Sequence, residues 1–196
     1  MTSVVRIANM ALSHLGGRGR IGSLTEASEE ARQCALHYDA ARDETLASAN
    51  WPFAAKTKAL ALSLEKPGPG FARAFEYPGD CLAPRALFCP GKNEPLRFAT
   101  GVSDDLSRRL VYADVLAPVL FYTARVTNPA LYDPMFVTAF SLRLASAVAI
   151  PLTGKYELAE SLMALASRAM AGAMAASANQ SFGGPEPDAE WIRARG

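Results

Sequence analysis

Cysteine and histidine are scarce in this chain. Cys34, Cys81, Cys89, His14 and His37 are the full set. Three cysteines in 196 residues do not make a disulfide framework, and they point to a reducing compartment. Structural zinc sites usually begin with a tight C-x-x-C pair, and none is present; Cys81 and Cys89 stand eight positions apart. An excess of either charge is also missing. There are 20 basic and 19 acidic residues, a net charge of +1. That balance argues against a general nucleic-acid coat, and against an anionic membrane surface as the main partner. The longest apolar run, Ala145 to Leu152, falls far short of the roughly 20 residues that span a bilayer. The opening stretch MTSVVRIANMALSHLGG has neither a long apolar core nor an A-x-A site. It is expected to belong to the fold and not to a signal peptide.

What is present is the composition of one folded domain. Half the residues are hydrophobic and a fifth are charged. The length suits one well-buried core and is short for two. Val5, Ala8, Leu12 and Leu15 recur at helical spacing behind Ser3, a good N-cap, and ahead of Gly16-Gly17. Ser23 and Glu26 have capping-box spacing. They predict a second helix from about residue 25 to 50, with a seam of Ala31, Cys34, Tyr38, Ala41 and Thr45 flanked by Leu46 and Ala49. Pro52 ends it.

Residues 54–127 change character. Seven prolines interrupt any helix between positions 67 and 118. Short β-prone runs lie at 82–89, 96–100, 110–115 and 118–126, with turns at 90–93 and 101–105. Helical spacing returns at Asp133-Pro134, a cap followed by a proline suited to the first turn. Phe136, Phe140, Leu144 and Ala147 form its seam up to Pro151. A fourth helix is expected over 156–178, with Leu158, Leu162, Leu165, Ala169 and Ala173 or Ala176 inward. The expected fold is mainly α with a small antiparallel β insert. In outline it is a four-helix bundle (1–53 and 128–178) interrupted by a three- to five-stranded sheet (54–127). Residues 179–196 are expected to be a flexible tail.

Several patterns invite a chemical reading and do not sustain it. Gly17-Arg-Gly19-Arg-Ile-Gly22 matches G-x-G-x-x-G, but a dinucleotide site needs a strand before that turn, and here a helical stripe precedes it. Thr153-Gly154-Lys155-Tyr156 lacks the first glycine and the Ser or Thr of a phosphate loop. Cys34, His37, Cys81 and Cys89 are the residue types of a zinc site without its spacing. Asp43-Glu44 and Asp104-Asp105 are acids of the kind glycosidases use, yet adjacent acids suit a solvated face better. The aromatics of the insert, from Trp51 to Tyr122, fit a core more readily than a nucleic-acid platform, because no basic groove accompanies them. No catalytic residue, cofactor or metal ligand is assigned. Arg18 and Arg20, on the glycine-rich loop, are candidate interface residues. So are Trp191, Arg193 and Arg195, because a tryptophan in a polar segment has nothing local to bury against.

Fragments along the chain also read together. They are Ile7-Ala-Asn9-x-Ala11-Leu12-x-x-Leu15-Gly16, Ile21-x-Ser23-Leu24, Glu30-Ala31-x-x-Cys34, Tyr38-x-x-x-Arg42-Asp43-x-x-Leu46 and Trp51-Pro-Phe53-Ala54. Then follow Tyr77-Pro78-x-Asp80-Cys81-Leu82, Asn128-Pro129-x-x-Tyr132-Asp133-Pro134-x-Phe136, Leu144-Ala145 and Ala149-x-Pro151-Leu152-Thr153. In order and spacing this ensemble, over about residues 4–178, resembles the tail tubular protein A family and related head-to-tail adaptors (connectors) of tailed bacteriophages. The chain departs from the family in having Trp51-Pro52 where Pro-Trp is common, and in its short insert. The resemblance implies a non-catalytic ring, usually of twelve copies, in the virion neck between head and tail, after assembly in the host cytoplasm. The implied partners are other copies, the portal protein and the tail tube or nozzle. DNA would pass through in transit, with no membrane involved. The competing expectations are a peptidoglycan-cleaving tail enzyme and a single-stranded nucleic-acid-binding protein.

Overall fold

The computed structural model describes residues 2–16, 19–91 and 94–181. Its elements run α1 (Val4–Ser13), α2 (Glu29–Ser48), β1 (Ala55–Ala59), β2 (Arg73–Glu76), β3 (Cys81–Phe88), β4 (Ala99–Val102), β5 (Arg109–Ala113), β6 (Val119–Ala124), α3 (Pro134–Thr153) and α4 (Tyr156–Ser181). Short 3-10 turns at Pro52–Ala54 and Pro129–Leu131 carry the chain into and out of the β region.

The helix ends follow local chemistry. Ser3 accepts the Arg6 amide at 3.2 Å, and Asp133 accepts the Phe136 amide at 2.7 Å. Gly154 closes α3 in the left-handed region, φ +67°, donating its amide to Ile150 O. The second helix starts later than its sequence signal. Ser28 caps it, through a 3.2 Å bond from the Ala31 amide. The Ser23–Glu26 pair instead forms a turn in front of it. There the Glu26 carboxylate takes the Gly22 and Ser23 amides and the Ser28 hydroxyl.

The four-helix bundle interrupted by one sheet is not what forms. The described residues form a mixed α and β structure with four helices and two separate three-stranded antiparallel sheets. One sheet has the order β1-β6-β3 and the other β2-β5-β4. Leu60, Phe75, Leu87, Val111, Leu120 and Tyr122, drawn from both sheets and their connections, make an apolar cluster separate from the helical one. The β region therefore has a core of its own, which a single inserted sheet would lack. Two strands escape sequence pattern. β1, AKTKA, is exposed along its whole length and has no apolar alternation, and β2 is four residues long. The β4–β5 turn also falls later than expected, at 103–108, with Gly101 inside β4. Gly101 and Gly68 crowd the Tyr112 ring, and a Cβ at either would lie 2.5 or 2.7 Å from it. Pro84 is tolerated in β3 because that strand is a sheet edge and its register slips there.

The helices also depart from a bundle of equals. α3 packs against α1, α2 and α4, while α1 and α2 barely meet. Phe136, Ala139, Phe140, Leu144, Ala145, Val148 and Ala149 of α3 are all fully buried, so its apolar surface runs around the helix instead of down one stripe. Its length and mean hydropathy of 1.7 would suit a bilayer span. Burial inside the protein accounts for that composition. The helix also runs through Pro151 to Thr153. In α4 the inward residues are Ala159, Leu162, Ala166 and Ala173, while Leu165, expected inside, is 47% exposed. The helix continues through residues 179–181, which the sequence assigns to a tail.

Two joints hold the helical part to the β part. The first is aromatic. Trp51 and Phe53 meet Phe136 at ring-centroid distances of 5.1 Å each, and Tyr132 meets Phe136 at 4.7 Å. The Trp51 indole N–H donates to Thr45 O at 2.8 Å. The second joint is polar. Arg85 of β3 donates to Ala47 O (2.9 Å) and Ala49 O (2.7 Å) at the end of α2, and to Thr123 Oγ1 in β6. Beside it, Asp43 accepts from Arg42 and from Arg125. Burial works against the charge of Arg42, but Asp43 and Asp39 more than offset it, and its pKa is raised.

Truncating Phe136 removes the ring that four others, Trp51, Phe53, Tyr132 and Phe140, touch. Phe136→Ala should cost about 3–5 kcal/mol in urea unfolding. The Lys56 ammonium, and then the Tyr122 hydroxyl, hold the Asp80 carboxyl below the usual carboxylate range, against an opposing contribution from burial. A depressed folded-state pKa gives stability that is present above the unfolded pKa, about 3.9 for Asp, and is lost as pH falls through the folded value. Wild type should therefore exceed Asp80→Asn in stability at pH 7, and the gap should close as pH falls through the depressed folded-state value.

Candidate functional site

The interface residues expected from sequence are largely beyond view. Arg18, Trp191, Arg193 and Arg195 lie outside the described residues. Arg20 is exposed on the α1–α2 connection, beside a shallow depression that includes Arg6, Asn9 and Met10. That connection is pinned by Asn9. Its side-chain amide donates to Ile21 O and its carbonyl accepts the Ile21 amide, both at 2.9 Å.

The chemical patterns fall apart in space. The glycine-rich run follows a helix and not a strand, and the Gly22 amide is already bonded to Glu26 at 2.6 Å. Gly154 of the Thr153–Tyr156 run is the helix cap, and the Lys155 amide is turned back to Thr153 Oγ1. Cys34 sits in the helical core and Cys81 in the β core, with Cys89 half-buried. Burial pushes the Cys34 thiol up to about 11, so at neutral pH it is a small apolar filler. Among the described residues no three His, Cys, Asp or Glu side chains come together as a metal cluster.

The acidic pairs also separate. Asp43 is committed to Arg42 and Arg125, whereas Glu44 points to Arg143. Asp105 organises the β4–β5 turn by accepting from the Ser103 and Ser107 hydroxyls and the Ser107 amide. Those bonds lower its pKa to about 2. Of the insert aromatics, Trp51, Phe75 and Tyr122 are buried, and Phe71, Phe88, Phe98 and Phe121 are half-buried.

The feature that sequence reasoning missed is a groove. α2, α3 and α4 border an open apolar trough of about 560 Å³. Ala40 and Ala41 come from α2, Ala147 and Ile150 from α3, and Ala159, Met163 and Ala164 from α4. Its volume arises from small side chains where helices usually carry large ones. Glu44 and Arg143 cross its edge from α2 to α3, with an Nε to Oε2 distance of 2.8 Å. Glu160 lies on its other side. A signal existed: α4 carries apolar residues well beyond one stripe, including Met163, Leu165 and Met174, all exposed. The β region adds exposed leucines at Leu62, Leu64, Leu106 and Leu116. Leu106 adopts φ +59° in the turn after β4, a conformation rare for such a side chain. These surfaces leave apolar side chains open to solvent. The groove is open to water, and its nearest carboxylate, Glu44, is already paired, which suits docking better than proton transfer.

The Glu44–Arg143 pair is partly exposed, so it should contribute little to folding. Glu44→Gln or Arg143→Met should each change unfolding free energy by no more than about 1 kcal/mol, as read by urea titration. Comparison of the chain with known protein families finds no match, and none of the curated proteins is similar to it.

Proposed function

We propose that this chain is a head-to-tail adaptor of a tailed bacteriophage. It is a non-catalytic protein that forms a ring, twelvefold in the virion neck, between the portal and the tail tube or nozzle. DNA crosses the centre of that ring, and the protein takes no cofactor and no membrane partner. One observation carries the reading. The fragments on which the family resemblance rests are separated in sequence, yet they meet as the joints of the fold. Trp51-Pro-Phe53 and Tyr132-Asp133-Pro134-x-Phe136 build the aromatic joint. Asp43 holds Arg42 and ties α2 to Arg125 after β6, Asn9 and Ile21 pin the first loop, and Asp80 anchors Tyr122. Residues that act together in this way support reading the fragments as one shared framework.

The surface supports the same reading. A docking protein leaves apolar area uncovered, and here the groove and the leucine-bearing loops do so. The acids most suggestive of catalysis are held in ion pairs and a turn. Near-neutral charge suits a channel through which DNA must slide.

The test mixes the purified chain with the portal protein of the same virion, followed by native mass measurement and electron microscopy. A ring seated coaxially on the portal, with twelve copies, is the expected result. A chain that stays unbound at high concentration contradicts the proposal. So does cell-wall clearing that is lost when one specific acid is replaced.

A further inference from the structure

The groove between α2, α3 and α4 is apolar, open and lined by small residues, so a large side chain from elsewhere is needed to fill it. Its ionisable lining is Glu44, Glu160, Arg143 and His37; Glu44 is paired with Arg143, and Glu160 has no ion pair among the described residues. The chain continues past Ser181 for 15 more residues, FGGPEPDAEWIRARG. After Phe182 these contain two large apolar side chains, Trp191 and Ile192, followed by two cations, Arg193 and Arg195. An apolar trough with a surplus carboxylate and an apolar pair followed by arginines are complementary in both respects.

We propose that this groove is the docking site for the chain's own C-terminal segment. Trp191 is seated among the small residues of the three helices, and Arg193 is paired with Glu160. The reach permits it. Residues 182–191 extend to roughly 33 Å at full stretch. Running back from Ser181 to Ser167 and Ala159, the groove residues on α4, covers roughly 21 and 33 Å at the helical rise. A volume near 560 Å³ lies within the range that encloses compact organic ligands. Tethering supplies the affinity. A short linker gives an effective concentration near 1 mM, so even a weak site of about 0.1 mM is occupied about tenfold over free. This inference rests on the groove and the segment, and stands apart from the adaptor reading.

Tryptophan emission of the full chain tests it. The chain has two tryptophans, and Trp51 is 3% exposed, so Trp191→Phe gives the Trp51 background to subtract. The Trp191 component should be blue-shifted and quenched by acrylamide about tenfold less than free tryptophan, in line with the tethered occupancy. In Ala147→Glu or Glu160→Arg that component should shift red and become fully quenchable. The Trp51 component should not change, which reports an intact fold. Full quenching of Trp191 in the wild type overturns the proposal, and so does protection that survives both groove variants. Protection that fades on dilution, as the mass falls from oligomer to monomer, places the segment in a neighbour's groove and also overturns it. The experiment needs neither ring nor portal, so its failure is distinct from failure of the adaptor reading.

Discussion

The whole structure depends on the burial of α3. A 20-residue helix that is apolar on nearly all sides cannot face water, and it must be wrapped. α1, α2 and α4 do the wrapping, each against a different part of its surface. This explains why the helices do not form a symmetric bundle. It also explains why the groove exists. Where α2, α3 and α4 border one another, small side chains leave the trough unfilled, and part of α3 remains reachable from outside.

The aromatic joint extends this constraint to the β region. Phe136 opens α3 and receives Trp51 and Phe53 from the segment that leads into β1. Tyr132, on the segment that leaves β6, packs on the same ring. Both crossings between the helical and β parts therefore converge on one residue. Arg85 adds a second fastening, using two carbonyls that the end of α2 leaves without helical partners. The helical and β parts are thus fastened at two places, one aromatic and one polar.

The helices were legible because they announce themselves in composition and caps. Ser3, Asp133 and Gly154 act as their types suggest, and the seam from Ala31 to Thr45 is buried as its spacing implies. Where two cues compete, the sequence misleads. Ser23–Glu26 and Ser28–Ala31 both offer a cap, and the turn-forming bonds of Glu26 leave the helix to Ser28. Two strands were hidden, β2 because it is only four residues long and β1, in the other sheet, because it is solvated on every residue. Its partner β6 supplies the apolar pattern instead. Leu165 was misplaced because an alanine-rich helix offers several stripes of similar weight, and Ala159 and Ala166 won the inner position. The groove was harder to read for a related reason. It is defined by missing bulk on three helices distant in sequence, and only the surplus apolar residues of α4 hinted at it.

Native-state hydrogen exchange, read by mass spectrometry in increasing denaturant, tests the central claim about α3 most directly. Amides of residues 138–149 should exchange only through global unfolding and should report the full unfolding free energy. The far end of α4 should open locally at far lower cost. An α3 that exchanges through a partial opening, while α2 or the β region stays closed, would contradict the account.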